Sequence, residues 1–186
     1  MTIQRLWLLR HGPVDCIDGT CYGASDVRAL EPDSLVIADR AVSELPAGVD
    51  FYASPLARCA QLAFAMEARR PDLQAQFDTR IAEMNFGSWE GRLWNDIPRQ
   101  EFDGWLSEFD VAPAGGNGEC TDDFMARVGD AYDGWRVSGQ DAAWVTHAGV
   151  MRAVILLHQG VRKVERASLW PTRSIALGEL MVIEAP

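Results

Sequence analysis

The run from Ile3 to Leu9 is largely apolar and stops at Arg10-His11-Gly12-Pro13, the pattern of a buried strand closed by two breakers. Residues from about Asp33 to Leu45 carry helical spacing, and Asp50 to Ala53 predict a second short strand. Ser54-Pro55 then reads as a helix start, with Ser as N-cap and Pro at the first helical position. Behind it, Leu56, Cys59, Ala60, Ala63, Ala65 and Met66 lay an apolar stripe that runs up to Arg69-Arg70. From Phe77 to Cys120 the periodicity weakens. This segment holds Trp89, Trp94, Trp105 and a glycine-rich patch at Gly115-Gly116-Asn117-Gly118, and short helices are expected within it. A clear amphipathic helix resumes near Asp122, where Phe124, Val128, Ala131 and Trp135 share one face. Ala142 to Val145 predicts a third strand leading into Thr146-His147-Ala148-Gly149, then an apolar helix from Val150 to Leu157. Ile175 to Ile183 predicts a last strand or hairpin, weakened by Gly178.

Strands that alternate with helices imply a layered α/β fold with a mostly parallel sheet. Such sheets bind ligands beyond the carboxyl ends of their strands. His11 and His147 each follow a predicted strand, so both are expected at one mouth. At 186 residues, with neither repeat nor linker, 1–186 reads as one domain with an irregular insertion at about 77–120.

Composition narrows the classes. No apolar run approaches the roughly 20 residues needed to span a bilayer. No basic, apolar and small-residue leader opens the chain, so a cytoplasmic protein is the expectation. A net charge of −10 argues against nucleic acid and anionic membranes as partners, and obliges the protein to build a local cationic pocket for any anionic substrate. Cys16, Cys21, Cys59 and Cys120 lack paired C-x-x-C spacing, so no metal site is expected and the cysteines read as reduced, mostly buried residues.

Four features carry candidate chemistry: Leu9-Arg10-His11-Gly12, Arg58 one turn into its helix, Glu83 in the irregular segment, and Thr146-His147-Ala148-Gly149. Taken singly, each is weak. A histidine after a strand is more often structural, an arginine on a helix is usually solvated, and His158 in an apolar helix reads as packed or surface.

Their order along the chain is more specific. Leu-Leu-Arg-His-Gly, Ala-Ser-Pro-Leu-Ala-Arg-Cys-Ala-Gln, Glu-Met-Asn-Phe-Gly-Ser-Trp-Glu-Gly and Thr-His-Ala-Gly-Val resemble, in sequence order, the histidine phosphatase superfamily that includes cofactor-dependent phosphoglycerate mutases. Cys21-Tyr22-Gly23-Ala24-Ser25-Asp26-Val27 and Gly118-Glu119-Cys120 are similar to short bacterial phosphatases of the α-ribazole phosphatase type. The resemblance spans roughly residues 3 to 160. It implies a three-layer α/β/α, phosphoglycerate mutase-like fold, and a phosphomonoester hydrolase acting without a cofactor on a small phosphorylated metabolite. It also implies a nucleophile at His11, a phosphate pocket from Arg10, Arg58 and His147, and a proton donor at Glu83.

The residue types suit that reaction. A neutral imidazole escapes the repulsion a phosphate dianion exerts on anionic nucleophiles, and it splits one hard displacement into two. Arg10 and Arg58 would grip phosphoryl oxygens and keep His11 unprotonated. Set close to the phosphoryl group, His147 can be cationic and donate a hydrogen bond to developing charge. An alkoxide leaves poorly, so Glu83 would hand it a proton and later activate water. Glu90, in the Trp-Glu-Gly turn, is expected to play a supporting part.

This chain departs from the pattern in two places. Ile17 stands where many relatives have a phosphate-contacting Asn, with Tyr22, the Gly23 backbone or Ser25 as possible substitutes. Cys120 stands where relatives commonly have Ser. A mutase-type phosphoryl transferase, typically longer, and a non-catalytic phosphate binder remain the alternatives. A protein phosphohistidine phosphatase would need no acid such as Glu83.

Overall fold

In the computed structural model, residues 3–185 are described. One five-stranded sheet runs in the order β3-β2-β4-β1-β5, with β1 at Arg5–Arg10, β2 at Asp50–Ala53, β3 at Gln76–Phe77, β4 at Ala142–Thr146 and β5 at Leu180–Glu184. β1, β2, β3 and β4 pair in parallel, and β5 closes one edge antiparallel to β1. Helices α1 (Glu31–Glu44), α2 (Ala57–Arg69), α3 (Arg99–Ser107), α4 (Thr121–Ser138) and α5 (Ala148–His158) complete the regular structure.

Alternation along the central strands sorts the core into two layers. Leu6, Leu8, Ala142 and Trp144 face α4 and α5, whereas Trp7, Leu9, Ala143 and Val145 face α1 and α2. A strand covered on both sides needs an unbroken apolar run, which is why β1 and β4 look continuously hydrophobic. The fold is the expected three-layer α/β/α.

The differences are local. The helix expected from Ser54-Pro55 begins at Ala57, with Leu56 in the cap position and no side-chain cap bond. Residues 175–179 lead into β5 through Gly178, whose φ of 72° suits glycine, so of the expected strand or hairpin the chain forms a single strand that starts only at Leu180. Within 77–120 the chain makes one α-helix, α3, and several 3-10 turns. Cys21 and Cys59 are buried, but Cys16 and Cys120 are only partly so, and all four are free. No helix among the described residues is long and apolar enough to cross a membrane.

Candidate active site

Sheet register brings the two histidines together. Arg10 of β1 pairs with Thr146 of β4, so the next residues, His11 and His147, leave the sheet side by side with ring centroids 5.3 Å apart. The His11 N–H donates to the Thr146 carbonyl at 3.0 Å. On the other flank Ala53 pairs with Val145, and the Ser54 N–H donates to the Val145 carbonyl. Ser54 Oγ therefore lies 2.8 Å from His147 Nε2. The residue that reads as a helix cap is instead a buried partner of His147.

His11 is 2% exposed. Its Nδ1 lies 2.7 Å from the Gly12 carbonyl oxygen, which only accepts, so Nδ1 carries the proton and Nε2 keeps its lone pair. Burial, the Arg58 guanidinium and then Arg10 push its pKa down to about 3, against a smaller opposing pull from the Gly12 carbonyl.

Arg58, at the first turn of α2, is fully buried. Its Nη1 donates to the Ser25 carbonyl at 2.8 Å, Nη2 to the Gly23 carbonyl at 2.5 Å, and Nε to His147 Nδ1 at 3.3 Å. Its carbon centre stands 5.2 Å from the Tyr22 ring centroid. Guanidinium has about five N–H donors, so these contacts leave it donors for an anion. Arg10 gives Nη1 to the Ile175 carbonyl, while its buried Nε has no partner among the described residues.

His147 is held as a neutral ring. Arg58 can only donate, so His147 Nδ1 accepts and the ring is neutral, with its proton on Nε2 toward Ser54. Burial holds its pKa well below the ordinary imidazole value, helped by Arg58, His11, Arg127 and Arg10. The ring is thus neutral in the folded protein, because a fully buried imidazole beside guanidiniums cannot hold charge cheaply. Cys59 Sγ lies 3.5 Å from His147 Nε2, and burial pushes its thiol up to about 12.

Glu83 is tied to the first turn of α5. Its Oε2 accepts from the Gly149 N–H and its Oε1 from the Met84 N–H, both at 3.1 Å. Glycine at 149 leaves room for this carboxylate, since a Cβ would sit 2.2 Å from Glu83 Oε1 and push it aside. The Thr146 hydroxyl donates to the Ile81 carbonyl at 2.7 Å and pins the same segment to the end of β4.

Sequence reasoning missed Arg127 of α4. It pairs with Glu119 at 2.6 and 2.9 Å and donates to the carbonyls of Arg80, Ala82 and Glu83. The available signal was its position three residues after Phe124, on the helix's apolar face, where a solvated arginine does not belong. Its guanidinium lies 4.8 Å from the Phe124 ring centroid.

Glu90 plays the supporting part expected. It accepts from the Ala24, Ser25 and Phe86 N–H groups at 2.7, 2.7 and 2.9 Å and from the Ser25 hydroxyl, joining the Tyr22-Gly23 loop to the Glu83 segment. Gly23 is where the two loops touch, and a Cβ there would fall 2.0 Å from the Met84 carbonyl oxygen. With its hydroxyl given to Glu90, Ser25 offers no spare donor in place of the missing Asn. Ile17 is 74% exposed in the loop before Cys21. Cys120 serves as N-cap of α4, its Sγ accepting from the Asp123 N–H at 3.4 Å. His158 closes α5, its Nδ1 3.2 Å from the Tyr132 hydroxyl, as a packed histidine.

The sequence profile of the histidine phosphatase superfamily (branch 1) matches residues 6–181. The chain belongs to the histidine phosphatase superfamily. It is an enzyme of the phosphoric monoester hydrolase class. Solved structures agree on the fold. A mycobacterial glucosyl-3-phosphoglycerate phosphatase in complex with VO3 superposes with a TM-score of 0.79 at 21% identity, over 96% of this chain and 90% of its own. A putative alpha-ribazole-5'-P phosphatase from Escherichia coli K-12 gives 0.77 at 24% identity, over 98% and 91%. TTHB049 from Thermus thermophilus gives 0.72 at 24% identity, over 97% and 93%. No curated protein matches the chain.

Proposed function

We propose that this phosphatase hydrolyses the monoester of a small phosphorylated metabolite through a phosphohistidine formed at His11 Nε2. The observation that carries this reading is the His11 Nδ1 contact with the Gly12 carbonyl, together with a pKa pushed down to about 3. They leave Nε2 unprotonated throughout the physiological range and therefore nucleophilic.

In the first step Nε2 attacks phosphorus, the P–O ester bond breaks, and Glu83 protonates the departing alkoxide. Water then gives a proton to the Glu83 carboxylate and attacks the phosphoryl group. The N–P bond breaks, and its electron pair returns to Nε2 as inorganic phosphate leaves. Arg10 and Arg58 hold the phosphoryl oxygens with charge-assisted bonds, and His147 completes the phosphate pocket, able to donate to an oxygen when the bound dianion favours its protonated form. Tyr22 and Gly23, whose ring and carbonyl meet the Arg58 guanidinium, are the proposed substrate contacts. Hydrolysis rather than mutase-type transfer is the outcome proposed, and α-ribazole 5'-phosphate, a sugar phosphate, a phosphoglycerate and a nucleotide are the substrates to compare.

Phosphate release from p-nitrophenyl phosphate, followed with rapid-quench labelling under alkaline conditions, tests the covalent step. His11→Ala is expected to lose both label and turnover, and retention of full turnover would sink the mechanism. Glu83→Gln is expected to slow glycerol phosphate by about 10²–10⁴-fold, the usual contribution of a general acid. It should slow p-nitrophenyl phosphate less, because that leaving group needs no proton.

A further inference from the structure

Glu83 and Gly149 also wall a cavity of about 270 Å³ whose other sides include Phe86, Trp105, Phe109, Phe124 and Trp170. Its aromatic rings brace one another: Trp105 and Phe109 have centroids 5.0 Å apart, and Trp170 stands 6.1 Å from Phe109 and 6.2 Å from Phe124. They come from separate parts of the chain: Phe86 from the Glu83 segment, Trp105 and Phe109 from α3 and the residues after it, Phe124 from the start of α4, and Trp170 from just after the turn at Ala167–Leu169. Arg152 of α5 also lines the space, with its Nη2 and Nε on the Arg173 carbonyl at 3.1 and 3.3 Å. Among the described residues, Glu83 is the only carboxylate in the lining.

Position decides what belongs there. A general acid must touch the oxygen it protonates, so whatever is esterified to that oxygen begins beside Glu83. The cavity that Glu83 itself walls is the space next to that point. Its wall is mostly apolar, with Met84, Leu106 and Ala167 between the aromatic rings, and stacks well on a flat ring, whereas Glu83, Thr121, Arg152 and the Trp105 N–H offer few partners to the many hydroxyls of a sugar or glycerate. About 150 Å³ suffices to hold benzene, so the space takes a ring with its linker.

We infer that the preferred substrate is the phosphate ester of an alcohol bearing a flat aromatic ring, with the ring seated between Phe86, Trp105, Phe109, Phe124 and Trp170. This inference rests on the hydrolase reading and on Glu83 as its acid.

Esters of unactivated alcohols isolate ring recognition from leaving-group chemistry. For the full chain, kcat/KM would be measured on ethyl phosphate, glycerol phosphate, glucose 6-phosphate, benzyl phosphate and 2-(1-naphthyl)ethyl phosphate. The aromatic esters are expected to exceed ethyl phosphate by at least about tenfold, since even one well-placed methylene reaches that ratio. In Trp170→Ala the ratio of aromatic to ethyl ester is expected to collapse toward one. Benzylphosphonate and ethylphosphonate, titrated against the wild-type protein, read the cavity without any variant and without turnover, and benzylphosphonate should bind more tightly. Equal kcat/KM across the series, faster glucose 6-phosphate, or equal phosphonate affinities each overturn the inference. If no ester is turned over and His11 takes no label, the hydrolase reading fails separately, and the phosphonate pair still decides what the cavity binds.

Discussion

Acidification from about pH 7 to about pH 5 should cost this protein stability through His11, by an amount that follows from its burial. Unfolded, His11 takes up a proton below its ordinary value of about 6.5, whereas folded it stays neutral down to about 3. Stability held above pH 6.5 is therefore lost as the pH falls toward 3, because the unfolded chain binds the extra proton. At pH 5 the linkage amounts to about 2 kcal/mol relative to pH 7 for this one residue. His147 acts in the same direction, being held well below the imidazole value by burial and then by Arg58. Asp39, Asp72 and Asp110 are held low by hydrogen bonds from Arg69, Arg70 and Lys163, so what they contribute is lost only as the pH falls below the ordinary carboxylate range, outside this window. Urea denaturation followed by tryptophan fluorescence at the two pH values measures the loss. His11→Asn should lose about 2 kcal/mol less than wild type over the same interval. Equal losses in the two proteins would show that His11 is not a buried neutral base, and the assignment of Nε2 as a free lone pair would fall with it.

Three further outcomes are expected. Arg127→Met releases Glu119 and the Glu83 segment, so kcat on alkyl phosphates should fall by about 10²-fold, the cost of a misplaced catalytic group, with a smaller change in KM and in p-nitrophenyl phosphate turnover. Gly149→Ala pushes a Cβ to 2.2 Å from Glu83 Oε1, so alkyl phosphate turnover should drop while circular dichroism still reports a folded protein. Cys120→Ser gives α4 a stronger oxygen cap in place of a sulfur acceptor at 3.4 Å, and a thermal melt should show a gain of about 0.5–1 kcal/mol.

The candidate site was legible where chemistry is local to a strand end. Arg10-His11-Gly12 and Thr146-His147 close apolar runs, and parallel neighbours bring such ends to one edge, so the pairing of His11 with His147 follows once β1 and β4 are adjacent. Arg58 and Glu83 were found because four motifs occur in order. Arg127 was not found: its place beside the apolar face of α4 was a weak signal against the ordinary solvated arginine, and the docking of α4 on the Glu83 segment is what shows its role. Ser54 has the residue type of a cap, and the geometry that turns it toward His147 belongs to the Ala53–Val145 register.

By itself, then, the sequence determined the layered α/β fold, the candidate side chains for a phosphate pocket and the presence of a carboxylate in the irregular segment. These depend on hydrophobic period, strand length and motif order, all properties of neighbours along the chain. Only the tertiary structure decided how those groups are charged and what surrounds them. His147 is neutral because it is buried against Arg58, a contact between residues far apart in sequence. The aromatic cavity beside Glu83 exists because Phe86, Trp105, Phe124 and Trp170 converge from separate elements. Burial and convergence are long-range quantities, so they become fixed when the layers close.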